Sequence, residues 1–188
     1  MISGKAKGRP LKAPSGNKTR PTADRVKEAV FNVLSPYLAG SHVLDVFAGS
    51  GGLGIEALSR EAASAVFLEA DRKALAIIKE NIAKTDLDNA LVIGGDSLKS
   101  LALLQNSGQG YLFDLVFLDP PYNKGLLLPV LQALQDSRLL AEEAIIVVET
   151  AAKLEENFAC SYYRQVKSSR YGDTQIIYLL NERSAQSG

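Results

Sequence analysis

The sequence predicts an α/β fold: a mostly parallel, seven-stranded sheet with helices on both faces, closed by a C-terminal antiparallel hairpin and preceded by a short N-terminal extension. Three observations carry this expectation. Five short apolar runs between residues 42 and 149 alternate with stretches of helical period, as in βαβ units. Runs such as Ala144-Ile145-Ile146-Val147-Val148 are continuously apolar, which suits strands covered on both faces. Two further strand-like segments, 162–168 and 175–180, are joined by Arg170-Tyr171-Gly172-Asp173, too short for a helical crossover, so they should pair antiparallel.

Taken in order, residues 1–21 are rich in Gly, Pro, Lys and Ser and form the extension. Ile2-Ser3-Gly4 and Pro10-Leu11-Lys12 are expected to make a short hairpin, with Ala13 to Arg20 as a mobile loop. A helix is expected from Thr22 to Leu34, where Val26, Val30, Val33 and Leu34 share one face; Pro36 and Gly40 should close it. His42 to Phe47 reads as the first strand, followed by a glycine loop and a helix over 53–60. Ala65 to Glu69 is the second strand, and Asp71 caps a helix to Lys84 on the face of Leu75, Ile78 and Ile82. Leu91 to Ile93 is the third strand, with a helix opened by Asp96 or Ser97 and running to Gln105. Leu112 to Leu118 is the fourth strand; a helix over 125–136 leads to the fifth, Ala144 to Glu149. The main domain therefore spans 22–180, and 181–188 reads as a frayed tail.

At 188 residues, 46% hydrophobic and 22% charged, the chain has the composition of one globular domain with a substantial core. No apolar run approaches the roughly 18 residues of a membrane span, and the basic N-terminus lacks the apolar region of a signal peptide. Cys160 is the sole cysteine, so no internal disulfide is possible and a reducing setting, the cytoplasm, is expected. A monomer is favoured. His42 is the sole histidine, which argues against a histidine-based metal site or a Ser-His-Asp triad, and no metal is expected. Net charge is zero but uneven. Residues 1–30 carry eight basic side chains against Asp24 and Glu28, leaving 13 basic and 19 acidic residues for the rest. A basic arm on an acidic body suits a polyanion approached from one side, or a merely solvated tail.

Gly49-Ser50-Gly51-Gly52-Leu53-Gly54 matches G-x-G-x-x-G between a strand and a helix, the entry of a Rossmann-like nucleotide fold. Glu69 ends the next strand, where a carboxylate can accept ribose hydroxyls. This points to an adenosine-bearing cofactor without choosing one; NAD fits the pattern, whereas no Gly-Lys-Ser/Thr follows for a Walker loop. Asp45 within Asp45-Val46-Phe47-Ala48-Gly49-Ser50-Gly51 can face a cationic aminoacyl group, and Asp96, beside Ser97, can accept an adenine amine. These tilt the choice toward S-adenosylmethionine. Asp45 also reads as a turn residue and Asp96 as a helix cap.

Asp119-Pro120-Pro121-Tyr122 follows the fourth strand. Two prolines remove two backbone donors and force a stiff bend, leaving a carboxylate, aimed carbonyls and an aromatic face. That set suits a planar group bearing an amine: oxygens accept its hydrogens while the ring stacks on its face. A proton donor suited to hydride chemistry is missing from this position.

With these motifs in order, the chain resembles class I S-adenosylmethionine-dependent methyltransferases acting on exocyclic nitrogen, and more closely the RsmD-type family of bacterial 16S ribosomal RNA guanine-N2 methyltransferases. The resemblance includes Ile2-Ser3-Gly4, Lys7 to Leu11, Arg20 to Glu28, Asp45 to Gly54, Leu68 to Asp71, Asp119 to Tyr122 and Tyr171 to Thr174. It implies cofactor contacts at Asp45, Phe47, Gly49, Ser50, Gly51, Glu69, Asp96 and Ser97. It implies a target base against Asp119, Pro120, Pro121 and Tyr122, in 16S ribosomal RNA or a small-subunit particle. Lys5, Lys7, Arg9, Lys12, Lys18, Arg20 and Arg25 are the candidates for RNA contact. Competing readings are a DNA adenine-N6 methyltransferase sharing the same turn, an NAD-dependent oxidoreductase, and an RNA-binding protein without activity.

Overall fold

A computed structural model describes residues 1–13, 21–121, 125–152 and 162–182, excluding the side chains of 21–23. Tyr122, Lys18, Arg20, Cys160, residues 14–20 of the expected loop and 183–188 of the expected tail lie outside the described residues. The elements are α1 (Pro21–Leu38), β1 (His42–Asp45), α2 (Gly52–Ser59), β2 (Ser64–Glu69), α3 (Arg72–Thr85) and β3 (Ala90–Gly94). They continue with α4 (Ser97–Asn106), β4 (Phe113–Leu118), α5 (Leu127–Asp136), β5 (Leu140–Ala151), β6 (Tyr163–Tyr171) and β7 (Thr174–Asn181).

The strands form one seven-stranded sheet in the order β3-β2-β1-β4-β5-β7-β6. The first five pair in parallel, with Leu44 beside both Val66 and Val116, and Leu118 beside Val148. β7 runs antiparallel to β5 and β6, and only Gly172 and Asp173 connect it to β6, too few for a helical crossover. Strand order reverses between β1 and β4, which opens a crevice at the carboxyl ends of the strands.

Strand alternation divides the core. Leu44, Val66, Leu68, Val116, Leu118, Ile146 and Val148 face α4 and α5 through Leu101, Leu104, Val130, Leu131 and Leu134. Val43, Ala65, Phe67, Leu115, Phe117 and Val147 face the other way, toward Val26, Val30, Phe31, Leu34, Ile55 and Ile78 of α1 to α3. Phe31 meets Phe117 at 5.8 Å between ring centroids. Removing such a buried ring costs roughly 3–5 kcal/mol.

Three expectations need correction. Residues 1–13 make turns and no hairpin ladder. Their amides are taken by buried side chains: Ile2 and Ser3 donate to Glu56 at 2.9 Å each, and Ala6 donates to Ser59 Oγ at 2.9 Å. A Cβ on Gly4 would fall 1.7 Å from the Ser59 carbonyl oxygen, so only glycine permits this approach. Helix α1 runs through Pro36 to Leu38, because buried Leu34 and Leu38 hold the last turn despite the lost backbone bond. Strand β5 begins at Leu140, four residues early, and carries an irregularity at left-handed Glu143 between the Phe113–Leu140 and Leu115–Ile145 pairings. Among the described residues, no helix is long and apolar enough to cross a membrane.

Candidate active site

The glycine loop turns on two left-handed residues, Gly49 at φ 55° and Gly51 at φ 79°, the latter capping α2. Gly54 has a different reason to be glycine: a Cβ there would come within 2.3 Å of the buried Phe67 ring. Close packing of α2 on β2 thus draws the helix N-terminus over the strand ends. The Gly49 amide donates to Glu69 Oε2 at 2.8 Å, and the Asp71 amide donates to Oε1 at 2.8 Å. Each carboxylate oxygen retains a further lone pair. Asp71 also caps α3 by accepting from the Ala74 amide at 2.8 Å.

Asp45 is almost fully buried and accepts from the Gly54 amide at 3.1 Å. Burial pushes its carboxyl up to about 7; the Gly54 amide opposes the rise and the Glu69 charge adds to it. Asp119, just past β4, is likewise shifted upward, first by the depth of surrounding protein, then by Glu149 and Asp45. Its surface stays open to the crevice, so water there moderates the rise.

A cavity of about 760 Å³ is walled by Asp45, Phe47, Gly49, Ser50, Asp119 and Glu149, together with Lys27 of α1 and Thr174 of the hairpin. A second hollow of about 500 Å³ is walled by Glu69, Asp96, Ser97, Pro120 and Pro121. Both share Phe47, Gly49 and Asp119, so the carboxylate–diproline turn and the glycine loop open on one crevice. Asp96 caps α4, accepting from the Lys99 amide at 3.1 Å, and it also lines the second hollow. Gly51 is the exception among the loop candidates. It belongs to neither wall, and a Cβ there would meet Ile55 at 3.0 Å and Ile78 at 3.4 Å, so it serves packing.

The basic candidates among the described residues, Lys5, Lys7, Arg9, Lys12 and Arg25, lie outside both walls. Lys5, Lys7 and Arg25 are exposed. Arg9 donates to Asp86 at 2.8 Å and to the Lys84 carbonyl at 2.6 Å, and Lys12 pairs with Glu80 at 2.6 Å. These pairs are exposed and worth about 0–1 kcal/mol, so a phosphate can displace them. His42 sits at the opposite, amino end of β1, its Nδ1 2.8 Å from Ser64 Oγ.

Sequence reasoning missed several wall residues. Glu149 closes an apolar run just as Glu69 and Asp119 do, and that position was a usable signal. Lys27 and the Tyr171 to Thr174 turn gave no local signal of a site role, because the fold alone brings them over the crevice. Asn81 was hidden inside a helical period. It is fully buried, donates to the Ser50 and Lys12 carbonyls at 2.9 Å each, and accepts the Lys12 amide at 2.8 Å.

A family model described as "Conserved hypothetical protein 95" matches residues 1–180. Ribosomal RNA small subunit methyltransferase D of Escherichia coli is 41% identical over 186 residues, covering 99% of this chain and 90% of the relative. The protein of the same name from Haemophilus influenzae is 43% identical over 152 residues, covering 80% of this chain and 77% of the relative. A solved Escherichia coli structure, provisionally named a methyltransferase, superposes with a TM-score of 0.83 at 35% identity, covering 97% of both chains.

Proposed function

Because this chain belongs to the RsmD-type methyltransferases of the Conserved hypothetical protein 95 family, we propose that it transfers a methyl group from S-adenosylmethionine to the exocyclic N2 of a guanine in bacterial 16S ribosomal RNA. The observation that carries this reading is the single crevice shared by the Asp119-Pro120-Pro121 turn and the Gly49–Glu69 loop.

The donors and acceptors present fit that cofactor. Glu69 keeps lone pairs for a ribose diol beyond those used by Gly49 and Asp71. Asp96, beside Ser97, suits an adenine amine, while Asp45 and the Gly49–Ser50 backbone suit a cationic aminoacyl end. A Cβ on Gly49 would meet only the Phe47 carbonyl oxygen, at 4.0 Å, so the loop leaves room for a ligand's close approach. When bound, S-adenosylmethionine supplies an electrophilic methyl group on a cationic sulfur.

The chain's own residues prepare the nucleophile. A guanine N2 lone pair is delocalised into the ring and attacks poorly. Asp119 and the Pro120 carbonyl accept its two hydrogens and turn the lone pair out of the ring plane. As the carbon–nitrogen bond forms and the carbon–sulfur bond breaks, its electron pair leaving with S-adenosylhomocysteine, positive charge grows on nitrogen and the Asp119 carboxylate would stabilise it; the surplus proton would then leave by Asp119 to water. Orientation and charge stabilisation supply the rate gain, without a histidine base. Tyr122 stacks on the base in this reading, worth about 1–3 kcal/mol. Lys5, Lys7 and Arg25 contact phosphates of the ribosomal RNA or small-subunit particle, with Arg9 and Lys12 exchanging their carboxylate partners.

Incubation of small-subunit particles, free 16S RNA and DNA with methyl-labelled cofactor, followed by nucleoside mapping, tests this. N2-methylguanosine from RNA is expected. Label in N6-methyladenine or in DNA would overturn it.

A further inference from the structure

The carboxyl end of β5 places Glu149 beside the proposed catalytic turn, and its neighbours constrain what it can read. β4 and β5 are parallel with Leu118 opposite Val148, so the next positions, Asp119 and Glu149, lie side by side on strands about 4.8 Å apart. Side chains alternate along a strand. Phe117 and Val147 face the α1–α3 side, so Asp119 and Glu149, two residues on, point to that same side and line the 760 Å³ cavity together.

We infer that Glu149 is a specificity-determining residue that accepts the N1–H of the target guanine while Asp119 holds the neighbouring N2 amine. This deepens the function proposed above and rests on it. Among the amine-bearing RNA bases, guanine alone carries a ring N–H next to its exocyclic amine. Adenine N1 beside N6, and cytosine N3 beside N4, are lone pairs. A carboxylate beside the amine-binding turn therefore receives guanine and repels both of the others, lone pair against lone pair. The Asp-Pro-Pro-Tyr turn by itself reads only an amine; the acceptor on the next strand selects which one. Sites built to hydrogen-bond a substrate group discriminate strongly against analogues that lack it.

The probe is 2-aminopurine, which keeps the C2 amine but has a lone pair at N1. Small-subunit particles are reconstituted with guanine or 2-aminopurine at the position mapped for the native enzyme, and kcat/KM is measured for each. Glu149→Gln, whose amide can donate to a bare N1, should lower kcat/KM on guanine and shrink the guanine to 2-aminopurine ratio by about tenfold or more. Affinity for S-adenosylhomocysteine, read by calorimetry, should match the native value. The missing O6 of 2-aminopurine affects both enzymes and cancels in the comparison. An unchanged ratio overturns the inference and leaves guanine methylation standing; absence of N2-methylguanosine from the native enzyme overturns both. Should Glu149→Gln fail to fold, Glu149→Asp, which shortens the acceptor, replaces it: an altered ratio supports the inference and a native ratio overturns it.

Discussion

The Gly49 amide donates to Glu69 Oε2 at 2.8 Å, joining the glycine loop to the end of the neighbouring strand. The carboxylate proposed to hold the ribose therefore also sets the shape of the loop proposed to hold the aminoacyl end. Glu69→Ala removes both, and affinity for S-adenosylhomocysteine should fall by about 100-fold, in line with 1.5–3 kcal/mol for a hydrogen bond to a charged group. Calorimetry measures it; native affinity would reject the assignment.

Asn81 ties that loop to the N-terminal segment through Ser50 and Lys12. Asn81→Leu removes three hydrogen bonds from a buried position and strands their partners. Denaturant unfolding should show a loss of about 2–4 kcal/mol, and cofactor affinity should fall with it. Unaltered affinity would mean that the Ser50 contact does not shape the loop.

Burial pushes the Asp45 carboxyl from an ordinary value of 3.8 up to about 7, so between these values the folded protein holds a proton that the unfolded chain has released. The corresponding stability is fully present below about pH 4 and is lost as pH rises through about 7, amounting to as much as roughly 4 kcal/mol. Asp45→Asn keeps an acceptor for the Gly54 amide and abolishes this dependence. Relative to the native chain, the variant should gain stability between pH 5 and pH 8. An equal difference at both pH values would contradict the burial argument.

The N-terminal segment cannot be tested by simple deletion, because Glu56 and Ser59 hold its amides. Exchanging exposed charges avoids that problem. Lys5→Glu with Lys7→Glu should weaken RNA binding, flatten its salt dependence by about two units of slope, and leave cofactor affinity unchanged. An unchanged slope would remove these lysines from the RNA interface.

How much of this was legible beforehand follows from the range of each interaction. β1 to β4 and their helices were readable because apolar period and capping residues are local; Asp71 and Asp96 cap the helices assigned to them. Gly49, Glu69, Asp96 and Asp119 were readable because a strand's carboxyl end has one place in this architecture. The N-terminal segment was misread because a Gly- and Pro-rich stretch looks like a hairpin until Glu56, over fifty residues away, captures its amides. Glu149 carries the same strand-end signal as these and went unread, whereas Lys27 reaches the crevice through the placing of α1, which no window of sequence contains.

Single-turnover methyl transfer with Asp119→Ala measures the proposed chemistry most directly. Native enzyme, saturated with labelled S-adenosylmethionine and mixed with unmethylated small-subunit particles, should form N2-methylguanosine in one phase. The variant should bind cofactor as tightly yet transfer about a hundred- to a thousandfold more slowly, the loss expected when a preorganised charge stabiliser is removed. Transfer at the native rate would contradict the account.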